Sequence, residues 1–124
     1  MEFKVYHCEQ CGNLVVKAVD QTENLVCCGE DMKLLEADTV DAAKEKHVPA
    51  VERDGNKVSV QVGEVEHPMD DDHYITNIFV VQGEKVQIAY LKPGDAPKAE
   101  FTVDEGAATV YEFCNIHGLW KAEA

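Results

Sequence analysis

The sequence is short of basic residues, of long apolar runs and of aromatic side chains. Lys and Arg number 11 in 124 residues, against 24 Asp and Glu, and the formal net charge is −13. Neutralising phosphates needs clustered Lys and Arg, so no nucleic-acid partner is expected. Adhesion to an anionic membrane is disfavoured for the same reason. No apolar run approaches the ~20 residues that span a bilayer. The first residues, Met1-Glu2-Phe3-Lys4-Val5-Tyr6-His7-Cys8, lack the basic and apolar regions of a signal peptide, and none is expected. A disulfide framework is lacking too. Five cysteines is an odd number, which fits a chain kept in a reducing cytoplasm. The hydrophobic fraction, 45 %, is ordinary for a folded chain, so the acidity implies solubility rather than disorder.

What is present is a pattern of cysteines and histidines. Cys8-x2-Cys11 is followed, after fifteen residues, by the adjacent pair Cys27-Cys28. These four lie in residues 1–36, which carry little large apolar content. A unit below ~40 residues usually needs a metal, disulfides or a partner to fold. Gly12 and Gly29 each follow a cysteine, where a tight turn lets backbone N–H groups approach sulfur. Four thiolates suit tetrahedral zinc or iron. The missing spacer in Cys27-Cys28 distorts the angles between ligands, which either ion tolerates, so the spacing leaves both open. His7 is expected at the surface, because four thiols already fill a site.

Residues 37–46 read as a linker with a short helix, capped by Asp38 or Thr39. From His47 onward the chain reads as β. Val58, Val60 and Val62 alternate with polar residues, after a turn signal at Arg53-Asp54-Gly55-Asn56. Further β-rich runs cover 73–81, 86–91, 99–103, 107–113 and 119–122. About seven short strands at this spacing predict an antiparallel sandwich.

His47, His67, His73 and His117 fall in this part, together with Cys114. Cys114-Asn115-Ile116-His117 has chelate spacing, and Pro68 holds His67 in extended backbone. Any single histidine is more readily a surface or core group. Four with the local cysteine favour a redox-capable transition metal. Five donors leave one octahedral position for chemistry. A thiolate opposite that position pushes electron density onto the metal. A ferrous ion with one thiolate and neutral imidazoles keeps a net positive charge, which can attract a small anion.

The chain resembles the desulfoferrodoxins, the two-iron superoxide reductases. The resemblance rests on Cys8-x2-Cys11-x15-Cys27-Cys28, Glu45-Lys46-His47-Val48-Pro49, His67-Pro68-Met69, His73-Tyr74-Ile75 and Cys114-Asn115-Ile116-His117-Gly118-Leu119-Trp120. It covers nearly the whole length. It implies a mainly β fold, with a small desulforedoxin-like domain over 1–36. An immunoglobulin-like antiparallel β-sandwich follows over 37–124, with 37–46 as its linker. It implies two non-haem iron ions per chain, one held by Cys8, Cys11, Cys27 and Cys28. The other is five-coordinate, with equatorial His47, His67, His73 and His117 and axial Cys114.

The implied reaction reduces superoxide to hydrogen peroxide without releasing dioxygen. Glu45 would close the sixth position in the ferric resting state. Lys46 would draw superoxide in and support protonation. A rubredoxin-like electron donor and a homodimer are further implications. Two stretches depart from the family pattern, Met69-Asp70-Asp71-Asp72 and Thr76-Asn77, and the aspartates are expected to face solvent. Trp120 is expected to pack beside the site. The competing readings are a two-iron electron-transfer protein and a zinc ribbon joined to an unrelated β domain.

Overall fold

The computed structural model describes residues 2–38, 47–63 and 66–124. The chain divides into two compact units, Met1–Glu36 and Ala37–Ala124.

In the first unit, β1 (Val5–His7) pairs antiparallel with β2 (Leu14–Val16) on one side and β5 (Lys33–Leu34) on the other. A second hairpin joins β3 (Val26–Cys27) to β4 (Glu30–Asp31). β4 and β5 are too short to carry a readable alternation, and sequence patterning does not find them. Among the described residues of this unit, the buried hydrophobic side chains are Val5, Tyr6 and Cys8. So small a core cannot offset the entropy of ordering the loops. Ionic contacts hold part of the remainder. Asp20 receives Lys4 Nζ and Lys17 Nζ at 2.8 Å each, and the Lys17 ammonium also lies 5.1 Å from the Tyr6 ring centroid. The loop after β2 is thereby pinned back to the sheet.

The second unit is a sandwich of antiparallel strands: β6 (Pro49–Asp54), β7 (Lys57–Val62), β8 (Ile75–Gln82), β9 (Lys85–Tyr90), β10 (Lys98–Thr102), β11 (Thr109–Cys114) and β12 (Gly118–Glu123). One sheet has the order β10-β7-β6 and the other β12-β11-β8-β9. This is the antiparallel sandwich that the patterning predicts, in the immunoglobulin-like, mainly β form that the resemblance implies. The turn at Gly55, φ +61°, joins β6 to β7 where the Asp-Gly-Asn signal falls. The core between the sheets takes Val58, Val60 and Val62 from β7, Ile75, Ile78 and Val80 from β8, and Val110 and Cys114 from β11. Each such aliphatic side chain contributes about 1.5–3 kcal/mol by its burial.

The start of β8 is irregular. Asn77 pairs with Phe113 but Ile75 pairs with Cys114, so Thr76 is an extra residue. This β-bulge inverts the in–out alternation of the strand. It explains how Ile78 and Ile75, three residues apart, both enter the core.

Of the expected helical linker, residues 39–46 lie outside the described residues. Asp38 forms a parallel bridge to Trp120, through Asp38 N–H to Leu119 carbonyl and Lys121 N–H to Asp38 carbonyl, both 2.9 Å. Among the described residues no helix is long and apolar enough to cross a membrane.

The two lysines hold the Asp20 carboxyl down at about 2. A depressed carboxylate stabilises the fold above its unfolded pKa of 3.8 and loses that contribution as pH falls through about 2. Asp20→Ala is therefore expected to lower the denaturant midpoint for unfolding of the first unit at pH 7. The difference from the native protein should hold down to about pH 5 and narrow below about pH 4. Melting curves followed through the tetrathiolate absorption at several pH values measure it.

Candidate metal centres

The four N-terminal thiols converge on one point. Their sulfur atoms all lie within 4.8 Å of one another. Cys11 Sγ is 3.6 Å from Cys27 Sγ, and Cys27 Sγ is 3.9 Å from Cys28 Sγ. Tetrahedral bonds of about 2.3 Å place sulfurs about 3.8 Å apart, so the spacing fits a tetrathiolate ion. Two turns produce it. Gly12 (φ +88°) and Gly29 (φ +76°) turn the chain behind Cys11 and Cys28.

Cys28 itself has φ +54° and is the one non-glycine residue with positive φ among the described residues. Adjacent side chains in extended backbone point apart, and the left-handed turn brings the second sulfur round to join the first. That conformation costs about 1–2 kcal/mol, which binding of a metal offsets.

Backbone N–H groups of Cys11 and Gln10 pull the Cys8 thiol down to about 7. Crowding by Cys11, Cys8 and Cys27 pushes Cys28 up to about 12. The cluster ionises fully only with a cation among its sulfurs.

The second donor set gathers at one end of the sandwich. His47 precedes β6, His67 and His73 lie on the segment leading into β8, and Cys114 and His117 bracket the β11–β12 turn. One donor atom from each of the five lies within 4.8 Å of all the others. The imidazoles contact edge to face in the cyclic order His47, His67, His73, His117. Their centroid separations around that ring are 5.2, 4.9, 5.0 and 4.5 Å. His47 Nε2 faces His117 Nδ1 at 2.9 Å. Bonds of about 2.1 Å at right angles put neighbouring nitrogens about 3.0 Å apart, so this spacing fits two nitrogens that would bind one ion side by side.

His67 Nδ1–H donates to the Pro68 carbonyl at 2.6 Å, which turns the lone pair of Nε2 toward the other histidines. His67 Nε2 and His73 Nε2 are buried without a hydrogen-bond partner, as atoms reserved for a metal would be. Burial holds the His67 imidazole down at about 4, so it is neutral at physiological pH. Burial raises the Cys114 thiol, and the N–H groups of Ile116 and His117 act against that rise. The two sets suit two non-haem iron ions, one held by four histidines and a cysteine and one by four cysteines.

Trp120 does more than fill space. Its ring stacks on His47 at 5.2 Å and 27°, and its Nε1–H donates to the His117 carbonyl at 3.1 Å. Asp70, Asp71 and Asp72 are all exposed. They form a tight turn closed by two backbone bonds between Asp70 and His73. Glu45 and Lys46 lie outside the described residues. Sequence reasoning passes over the Asn115 carboxamide and the Met69 sulfur, which receives the Ile75 N–H at 3.4 Å. The one available signal is their place within or beside the ligand motifs.

Comparison with known proteins finds matches along nearly the whole length of the chain. The family model described as "Desulfoferrodoxin, N-terminal domain" matches residues 1–35, and that described as "Desulfoferrodoxin" matches 39–123. A desulfoferrodoxin homolog of Archaeoglobus fulgidus is 52% identical over 119 residues, which is 96% of this chain and 95% of the relative. The crystal structure of the superoxide reductase from Treponema pallidum superposes with a TM-score of 0.82 at 29% identity, covering 98% of both chains. A one-iron superoxide reductase from Giardia intestinalis superposes with a TM-score of 0.58 at 31% identity, covering 65% of this chain and 98% of that one. With two family models lying end to end across it and half its residues shared with an archaeal relative, the chain belongs to the desulfoferrodoxin family.

Proposed function

We propose that this protein reduces superoxide to hydrogen peroxide at the four-histidine, one-cysteine centre, as part of defence against oxidative stress. The observation that carries the reading is the convergence of His47, His67, His73, His117 and Cys114 on one point. Five donors leave an octahedral ion one position for a substrate, which a pure electron relay does not need. The solved relatives described as superoxide reductases favour the same reading.

A ferrous ion held by these five residues would supply the one electron that superoxide needs, and two protons would complete hydrogen peroxide. The side chains set the terms. Four neutral imidazoles add no charge, and the single thiolate of Cys114 leaves the site locally positive. Lys46 would add to that attraction and support protonation, and Glu45 would close the remaining position of the ion at rest. Both roles follow from the family resemblance. The net charge of −13 does not oppose this, because salt screens distant carboxylates beyond ~8 Å. An iron held by Cys8, Cys11, Cys27 and Cys28 would transfer electrons in an auxiliary role. A rubredoxin-like donor, a homodimer and a cytoplasmic location complete the proposal.

The decisive experiment generates superoxide in pulses over the reduced protein and analyses the products. One peroxide per superoxide with no dioxygen is the expected result. Release of dioxygen, or bleaching of superoxide no faster than in buffer, would refute the reading.

The two centres should be separable. Cys8→Ser is expected to lose the tetrathiolate absorption while its reduced form consumes superoxide within about threefold of the native rate. Complete loss of reaction in the folded variant counts against an auxiliary role. Lys46→Ala should slow the reaction by about tenfold at low salt and flatten its dependence on ionic strength. Identical salt profiles for native and variant proteins would remove steering from Lys46.

A further inference from the structure

The regular ladder between β11 and β8 ends at the pair Cys114–Ile75. One step further, the Asn115 N–H donates to the Tyr74 carbonyl at 3.2 Å. The Asn115 side chain then takes over. Its Oδ1 accepts the Tyr74 N–H at 2.9 Å, and its Nδ2 donates to the Asp72 carbonyl at 3.1 Å. Asp72 and Tyr74 are the two neighbours of His73. The carboxamide thus does for the chain around His73 what a facing peptide group would do in a continued ladder.

The demand on the residue is specific. The position needs an acceptor and a donor on one short side chain, which asparagine supplies. Aspartate has no donor, alanine has neither, and glutamine is longer by a methylene. The two partners also orient the amide, since an N–H needs the oxygen and a carbonyl needs the nitrogen.

Two further backbone bonds hold the turn before His73. Asp70 N–H to His73 carbonyl (2.9 Å) and His73 N–H to Asp70 carbonyl (3.2 Å) close the turn on itself. Asn115 is what ties that turn to the hairpin bearing Cys114 and His117.

We propose that Asn115 is a positioning residue. Its carboxamide sets the placement of His73 against Cys114 and His117, and through it the grip on the catalytic iron and the geometry of the iron–thiolate bond. The proposal rests on the five-donor reading of the site and not on superoxide chemistry.

The test uses full-length, iron-loaded native protein, Asn115→Ala and Asn115→Asp. Each is challenged with a chelator, and the loss of each iron is followed through its own absorption. The tetrathiolate iron serves as the internal standard. Asn115→Ala is expected to release the histidine-bound iron about 10–100-fold faster, the range by which losing a supporting hydrogen bond around metal ligands lowers affinity. Its tetrathiolate iron should leave at the native rate. The thiolate-to-iron charge-transfer band of the oxidised centre should shift, which a general loss of stability would not cause.

Asn115→Asp keeps the acceptor and loses the donor, so it should fall between the two. It also decides the matter if the alanine variant does not fold. Native release rates with an unshifted band would overturn the proposal, as would equal acceleration at both centres. Superoxide is absent throughout, so failure here leaves the proposed reaction standing, and failure of that reaction leaves this result standing.

Discussion

The histidine and cysteine site depends on which way the start of β8 faces. A strand alternates its side chains with a period of two, so one inserted residue reverses every side chain before it. Thr76 is that residue. Without it Ile75 would share a face with Asn77 and Phe79, away from the core that Ile78 and Val80 enter, and His73 would follow the outer face. With it Ile75 seals the core opposite Cys114, and His73 arrives beside the thiol. The bulge serves packing and chemistry together, because the last core layer of the sandwich is the floor of the site.

The same economy appears in how the donors are charged. Burial keeps the His67 imidazole neutral, and backbone N–H groups favour the thiolate of Cys114 against its burial. In the first unit, N–H groups at Cys11 and Gln10 favour the Cys8 thiolate, and the neighbouring sulfurs resist ionisation of Cys27 and Cys28. Each cluster is costly to gather without a cation and stable around one. For the first unit, with Val5, Tyr6 and Cys8 as its buried apolar side chains, the metal is a large part of what makes it fold. The sandwich has a larger apolar core of its own between its sheets, so less of its stability has to come from an ion.

Legibility in the sequence follows the length of each signal. β7 is readable because Val58, Val60 and Val62 alternate through a full strand, and its turn carries an Asp-Gly-Asn signal. β4 and β5 are hard because two residues each make no period. The run from 73 to 81 reads as one uninterrupted strand, and nothing in its composition marks Thr76 as extra. The donors are legible from spacing, since Cys and His have few other reasons to cluster. Asn115 is not, because an asparagine in a turn has an ordinary local explanation.

What the sequence by itself determined was the inventory: two donor sets, their division between two units, a β pattern with an apolar face, and the family. Those properties depend on residue identity and on spacing of a few positions along the chain. Tertiary structure alone decided the geometry. The cyclic order of the imidazoles, the stacking of Trp120 on His47 and the clamp from Asn115 to either side of His73 join residues far apart in the chain. Contacts of that kind exist only once two sheets have closed on a shared core, because the register between strands, not their composition, sets which side chains meet.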